Sequence, residues 1–219
     1  MSFLGVSDAA ERLGVSTRRV QQLVASGALR QVARGLVDET SVERVATVRG
    51  GSRRAWSEAT AWGAVAILSG AGAEWMGERQ RSRLRARLRE LSAVELVERA
   101  RERAVVTRYR AHSSAGKYLL AELVYPVDVA GRLGLADTND IDGYLSAEDV
   151  AGVVSRHGLI RDEDGRVTLR ATTMSLDMVR DLSGRGILLA AMDLAESLDV
   201  RERRAGLDTL DRALEDFHG

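Results

Sequence analysis

Residues 7–24 constrain the fold of this chain more than any other segment. Ser7 and Ser16 are each placed to cap a helix, because a serine side chain accepts a hydrogen bond from the free N–H groups of a first helical turn. Gly14 lies where the chain must turn sharply with a positive φ. Apolar residues at helical spacing would pack the two helices together: Ala10, Leu13, Val15, Val20, Leu23 and Val24. The segment therefore predicts two short helices joined by a tight turn.

The second of these helices is left with a polar outer side. An α-helix fits the major groove of DNA, where arginine binds guanine bidentately and glutamine binds adenine. A threonine at a helix N-terminus suits contact with a phosphate. We therefore predict that the outward residues contact DNA, and these are Thr17, Arg18, Arg19, Gln21 and Gln22.

Two short strands are predicted next, at Leu29–Val32 and Leu36–Val37, with Arg34 at the tip between them. Such a wing would carry Arg34 to a minor groove or to a phosphate. A third helix is predicted over Thr40–Val48. In this order, residues 3–49 resemble the winged helix-turn-helix of the MerR and excisionase type, although a helical hairpin for protein contacts would have a similar pattern. A single module of this size binds DNA weakly, so self-association on DNA or help from the following region is expected.

Composition excludes several classes of protein. The chain of 219 residues has no cysteine, which rules out disulfides, thiolate nucleophiles and zinc sites built on cysteine. No apolar run approaches the ~20 residues that cross a bilayer, and no secretory signal is recognisable. We therefore expect a cytoplasmic protein with no membrane partner.

No catalytic or metal-binding set stands out. The three histidines, His112, His157 and His218, are far apart in sequence, and none has the spacing of a zinc pair. The segment Asp137–Gly143 lacks the spacing and the glutamate of a calcium loop, and it is predicted to be a polar loop. We expect no enzyme, no cofactor and no metal. A metal-dependent nuclease that uses acidic residues of the rear part remains an alternative.

Charge is distributed unevenly along the chain. Residues 1–110 contain 20 Lys/Arg and 12 Asp/Glu, a net charge of +8, whereas residues 111–219 contain 12 and 20, a net charge of −8. A basic front half favours a polyanionic partner, and an acidic rear half would repel one. The simpler interpretation is that each half only has a solvated surface.

A basic, glycine-rich joint at Gly50–Arg54 predicts a linker between a domain of residues 1–49 and a domain of residues 54–219. Its Arg53 and Arg54 are predicted DNA contacts. An arginine-rich helix is predicted over Gly77–Leu91, where one row at i, i+4 and i+8 is a further predicted phosphate contact: Arg81, Arg85 and Arg89. A solvated face, or docking onto an acidic partner or onto the acidic rear half, would explain that helix as well.

The sequence of the rear part predicts helices interrupted by short strands. Leu159–Arg170, with a turn at Asp164-Gly165, predicts a β-hairpin, and Ala104–Arg110 predicts a strand. Trp56 and Trp62 are predicted to be core residues. The expected fold class is mainly α with small β-hairpins (α+β), in which a winged helix-turn-helix precedes a larger helical C-terminal domain with a short sheet.

Four segments are similar to actinobacterial helix-turn-helix proteins related to AbiEi-type antitoxins: Arg54–Trp62, Arg81–Arg89, Arg108–His112 and Leu188–Ser197. The resemblance implies a front domain that binds DNA and represses its own operon, and a rear domain that counteracts a nucleotidyltransferase toxin. It assigns DNA contacts only to the polar face of the second helix and to Arg34, and it assigns no toxin contacts.

The sequence thus predicts a transcriptional autorepressor that is also the antitoxin of a toxin–antitoxin pair, with double-stranded operator DNA and the toxin as partners. Three alternatives stay open. A ligand-responsive regulator of the MerR type would need an apolar pocket and a long dimerisation helix. A nuclease or other enzyme would need carboxylates clustered in a cleft. The third is an accessory factor that bends DNA.

Overall fold

The computed structural model describes residues 2–25, 27–49, 54–125, 140–197 and 199–218, with the backbone alone at residues 44, 47–49 and 113. The chain divides into two compact units, residues 1–53 and residues 54–219, which are called the front unit and the rear unit below. The structure is 56% helix and 16% strand, which confirms the predicted mainly helical α+β class. Of the predicted joint at residues 50–54, residues 50–53 lie outside the described residues, and Arg53 with them. Residues 137–139 of the predicted polar loop at 137–143 lie outside them as well, and the loop prediction is wrong for residues 141–143, which begin the strand Ile141–Ser146.

The front unit is a three-helix fold with a small antiparallel sheet in the order β1-β3-β2. Val20, Leu23, Val37 and Val42 are buried in its core. Its elements are β1 (Phe3–Gly5), α1 (Val6–Arg12), α2 (Thr17–Ala25), β2 (Gln31–Ala33), β3 (Leu36–Asp38) and α3 (Glu39–Arg49).

Local signals set the turn between α1 and α2. Gly14 has a φ of 61°, as predicted, and the Ser16 side chain accepts a hydrogen bond from the Arg19 N–H at 3.3 Å, which confirms the predicted cap. The predicted cap at Ser7 is wrong, because α1 already begins at Val6. The Val6 N–H donates to the Gly35 carbonyl at 3.1 Å, and β1 pairs with β3, so tertiary contacts start the helix before Ser7 is reached.

The rear unit combines helices with a four-stranded sheet in the order β5-β7-β4-β6, in which β5 and β7 are parallel and the other pairs are antiparallel. The α-helices of its described part are α4 (Glu58–Leu68), α5 (Glu78–Leu88), α6 (Ala93–Ala100), α7 (Gly116–Glu122), α8 (Val150–Arg156), α9 (Leu176–Gly184), α10 (Leu188–Leu194) and α11 (Val200–His218), and two short 3-10 helices lie at Arg101–Arg103 and Ser113–Ala115. Its strands are β4 (Val105–Arg110), β5 (Ile141–Ser146), β6 (Ile160–Arg161) and β7 (Val167–Thr172).

The predicted hairpin at Leu159–Arg170 is wrong. Its two strands, β6 and β7, exist, but β4 lies between them and pairs with both. The connection crosses the end of β4, where the Asp162 N–H donates to the Arg108 carbonyl at 3.0 Å. A Cβ on Gly165 would lie 2.2 Å from the Tyr109 backbone, so the glycine permits this close crossing. The predicted strand at Ala104–Arg110 is present as β4.

Helix α4 forms the centre of the larger core. All its residues from Ala61 to Ile67 are buried, as its nearly continuous apolar sequence predicts. Trp56 and Trp62 are buried, which confirms their predicted role in packing. The Trp62 ring meets Tyr144 edge to face at a centroid distance of 5.3 Å, and its Nε1–H donates to Thr172 Oγ1 at 3.1 Å. These contacts join α4 to β5 and β7.

Replacing Gly206 by alanine is expected to lower the free energy of unfolding by about 1–3 kcal/mol, because the added methyl overpacks a helix crossing. A Cβ there would lie 2.5 Å from the Ala195 nitrogen and 2.7 Å from the Ala191 oxygen, which are backbone atoms. Gly152 is the matched control, since it is exposed in α8 with open space around it. Alanine at Gly152 is expected to be neutral or to stabilise by up to about 1 kcal/mol. Urea unfolding measures both, and equal losses would contradict the proposed close packing of α11 on α10.

Candidate nucleic-acid interface

Helix α2 is anchored by one side and exposed on the other. Val20 and Leu23 are buried in the front core. The structure places all five predicted contact residues on the exposed side: Thr17, Arg18, Arg19, Gln21 and Gln22. The apolar positions therefore hold the helix while its polar side chains face solvent.

Two hydrogen bonds at the start of α2 hold part of its exposed polar side in place. The Ser16 cap holds the Arg19 N–H, and the Arg19 guanidinium donates to Gln22 Oε1 at 3.1 Å. No carboxylate of the described residues forms an ion pair with Arg18 or Arg19. An exposed guanidinium without an acidic neighbour keeps its donors for an external acceptor, such as a base edge or a phosphate.

The β2–β3 connection forms the predicted wing. Arg34 is exposed at its tip, beside Gly35, whose φ of 81° lies in the left-handed region that favours glycine. The base of the wing is tied to α3, since Asp38 Oδ2 accepts from the Ser41 N–H at 3.1 Å. The wing strands run from 31 to 33 and from 36 to 38, a shift of one or two residues from the predicted bounds. β1, which pairs with β3, was not predicted.

A surface ion pair lies elsewhere in the front unit, where Arg12 of α1 meets Glu43 of α3 at 3.0 Å with both side chains about half exposed. An exposed pair of this kind contributes little to stability, roughly 0–1 kcal/mol. Arg12 is therefore already engaged with an acid, in contrast to Arg18, Arg19 and Arg34.

The three arginines of the predicted row, Arg81, Arg85 and Arg89, have different environments in the structure. Leu84 and Leu88 are the buried residues of α5, and Arg81 is half-buried. Arg85 is exposed, and the Arg89 guanidinium lies 5.4 Å from the centroid of the Phe217 ring. Arg54, the described residue of the predicted basic joint, is also exposed.

The rear unit also contains a buried ionic network that was not predicted. Arg103 is 1% exposed, and it donates to Asp193 Oδ1 at 2.6 Å, to Glu196 Oε1 at 2.7 Å and to the Tyr144 hydroxyl at 3.2 Å. The Tyr144 hydroxyl in turn donates to Asp193 at 2.5 Å. Its members lie up to 93 positions apart in the sequence, so no local pattern marks them.

A second buried arginine completes this network. Arg170 binds both oxygens of Asp142, at 2.6 and 2.8 Å, and donates to Glu196 Oε2 at 3.2 Å. Burial acts to lower the pKa of Arg103, but the neighbouring Glu196, Tyr144 and Asp193 raise that pKa well above its ordinary value. Both guanidiniums stay charged, and each carboxylate of the network is held by arginine.

Within the described ranges, no three His, Cys, Asp or Glu side chains come together as a group that could hold a metal ion. No helix in the part of the chain that the structure describes is long and apolar enough to span a bilayer. Compared with protein-family models, with curated proteins and with solved structures, the chain shows no significant match.

Proposed function

We propose that this protein is a sequence-specific DNA-binding transcriptional regulator that reads its operator through α2. The observation that carries the proposal is the exposed polar side of α2 on a helix fixed by its buried side. In a helix-turn-helix, the N-terminal residues of the second helix contact base edges in the major groove. The arginine and glutamine side chains found there are those that recognise guanine and adenine.

The predicted contact residues of α2, of the wing and of the joint bind different parts of the duplex in this proposal. Arg18, Arg19 and Gln22 bind base edges, and Gln21 lies beside them on the same exposed side. Thr17 and the free N–H groups at the start of α2 bind a phosphate. Arg34 of the wing reaches the neighbouring backbone or minor groove, and Arg54 adds a charge after the front unit.

The proposal extends to an autorepressor and antitoxin whose partner is a nucleotidyltransferase toxin. Its support is the sequence resemblance to AbiEi-type antitoxins, together with the net charge of −8 over residues 111–219. An acidic region would attract and steer a toxin that handles RNA through a basic surface. In this proposal the front unit binds the operator and the acidic part of the rear unit counteracts the toxin.

Selection from a pool of random duplexes with the full chain tests DNA recognition. We expect one consensus to be enriched, and we expect that sequence to occur in the promoter of the protein's own gene. At physiological salt the consensus duplex should bind about 10³-fold or more tightly than a shuffled duplex. Selection without enrichment, or equal binding of both duplexes, would overturn the proposal.

Coexpression with the product of the neighbouring gene tests the antitoxin part. If that product is a nucleotidyltransferase that arrests growth, the full chain should restore growth. A variant with Arg18→Ala and Arg19→Ala tests whether neutralisation of the toxin is independent of repression. When both genes are expressed from foreign promoters, this variant should still restore growth, because the rear unit is unchanged. Continued arrest in the presence of the folded wild-type chain would contradict the antitoxin proposal.

A further inference from the structure

Helix α5 carries the densest positive charge in the rear unit. Residues 78–89 contain six arginines and one acid, Glu78. Leu84 and Leu88 are buried, and they define the side of the helix that faces the core. At about 100° per residue, Ser82 and Ala86 lie on the opposite side, and both are exposed.

This charge has no acidic counterpart among the described residues. None of the six arginines forms an ion pair there, although exposed arginines elsewhere do so at short range. Arg156 meets Glu122 at 2.8 Å, and Arg180 and Arg185 each meet an acid of α9 at 2.6 Å. Docking of α5 onto the protein's own acidic residues is therefore not seen in the described rear unit, and its charge is open to an external anion.

Five of the six arginines are exposed, Arg85 and Arg89 included, and the two rows along the helix differ in what their members contact. Arg81 is half-buried beside the apolar side of α5, and Arg89 stacks on Phe217. Arg79, Arg83 and Arg87 are all exposed and follow i, i+4 and i+8 spacing. They form one row along the helix, with a rise of about 6 Å between neighbours. The row with all three members exposed and none on an aromatic ring is thus not the one that sequence spacing alone predicted.

We propose that the row Arg79, Arg83 and Arg87 is a second contact surface for the phosphate backbone of duplex DNA, separate from the helix-turn-helix. The proposal rests on the DNA-binding function proposed above. Guanidinium groups bind phosphates bidentately, and they remain charged at any physiological pH. Phosphates are the same in every sequence, so this surface adds affinity to all duplexes and discriminates among none.

The test compares two triple variants of the full chain that remove the same charge from the same helix. One carries Arg79→Gln, Arg83→Gln and Arg87→Gln, and its matched control carries Arg81→Gln, Arg85→Gln and Arg89→Gln. Binding to the selected duplex and to a shuffled duplex is measured by anisotropy over a range of salt concentrations. The outward triple should flatten the slope of log affinity against log salt by about 2–3 for both duplexes, and the control triple by about 1 at most. Thermal unfolding verifies that both variants are folded.

Equal salt slopes for the two triple variants would overturn the proposal. Binding would then depend on the total positive charge of α5 and not on the position of Arg79, Arg83 and Arg87. Unchanged slopes in both would also overturn it, and an acidic protein would then be the better partner for this surface. Failure of the α5 proposal can be told apart from failure of the helix-turn-helix proposal. If only the helix-turn-helix proposal is wrong, the triple variant of Arg79, Arg83 and Arg87 still flattens the salt slope, but the wild-type chain binds the selected and the shuffled duplex equally.

Discussion

Replacing Arg103 by methionine is expected to destabilise the rear unit by about 3–5 kcal/mol, the usual cost of removing one partner from a buried ion pair. The guanidinium is 1% exposed, and it holds Asp193, Glu196 and the Tyr144 hydroxyl. Methionine fills similar volume, so the loss arises from the two carboxylates that are left partly unpaired and not from a cavity. Urea unfolding of the full chain measures the change.

Arg180→Met is the matched control, because Arg180 forms an ion pair with Asp177 at 2.6 Å but both side chains are largely exposed. Its cost should stay within about 1 kcal/mol. Adding Glu196→Gln to Arg103→Met should recover part of the lost stability, since Glu196 would otherwise be a buried carboxylate with Arg170 as its one remaining arginine partner among the described residues. Similar losses for Arg103→Met and Arg180→Met would contradict the structural role assigned to the buried network.

Replacing Arg18 and Arg19 by alanine is expected to abolish sequence discrimination while the protein stays folded. Each bidentate arginine–guanine contact contributes about 1–3 kcal/mol of discrimination, so the pair should account for at least about thirtyfold. Both side chains are exposed, and neither forms an ion pair with a described residue, so their removal should change stability little. The ratio of affinities for selected and shuffled duplexes, measured at one salt concentration, reports the loss.

A variant with Arg180→Ala and Arg185→Ala removes the same net charge from the rear unit and serves as the control. It should keep the wild-type ratio of affinities, because Arg180 lies on α9 and Arg185 directly follows that helix, outside the proposed contact surfaces. If Arg18→Ala with Arg19→Ala lowered both affinities by the same factor, α2 would contribute charge only. The sequence-reading role would then be wrong.

Much of the front unit was predictable because local chemistry determines it. Gly14 and Ser16 act within a few residues of themselves, and the alternation of buried and exposed positions along α2 follows from its own sequence. β1 was missed because a strand of three residues depends on its partner β3, more than thirty positions away. The same pairing explains why α1 begins before Ser7.

The rear unit was predicted less well because long-range contacts decide its arrangement. The Asp-Gly turn was recognised, but only the tertiary structure shows β4 inserted between β6 and β7. Arg103 and Arg170 look like surface residues in the sequence, and their burial depends on carboxylates from distant segments. On α5, in contrast, a signal was available: Arg81 precedes Leu84 by three residues and Leu88 by seven, so it lies beside the apolar stripe.

Guanine recognition by α2 is the central claim, and 7-deazaguanine in the selected duplex tests it most directly. This base lacks the N7 acceptor of the major groove but leaves the phosphates unchanged. At the contacted guanines, the substitution should weaken binding of the wild-type chain by about 1–3 kcal/mol and should have no further effect on the variant with Arg18→Ala and Arg19→Ala. Undiminished binding of the wild-type chain to the substituted duplex at every guanine would contradict the account.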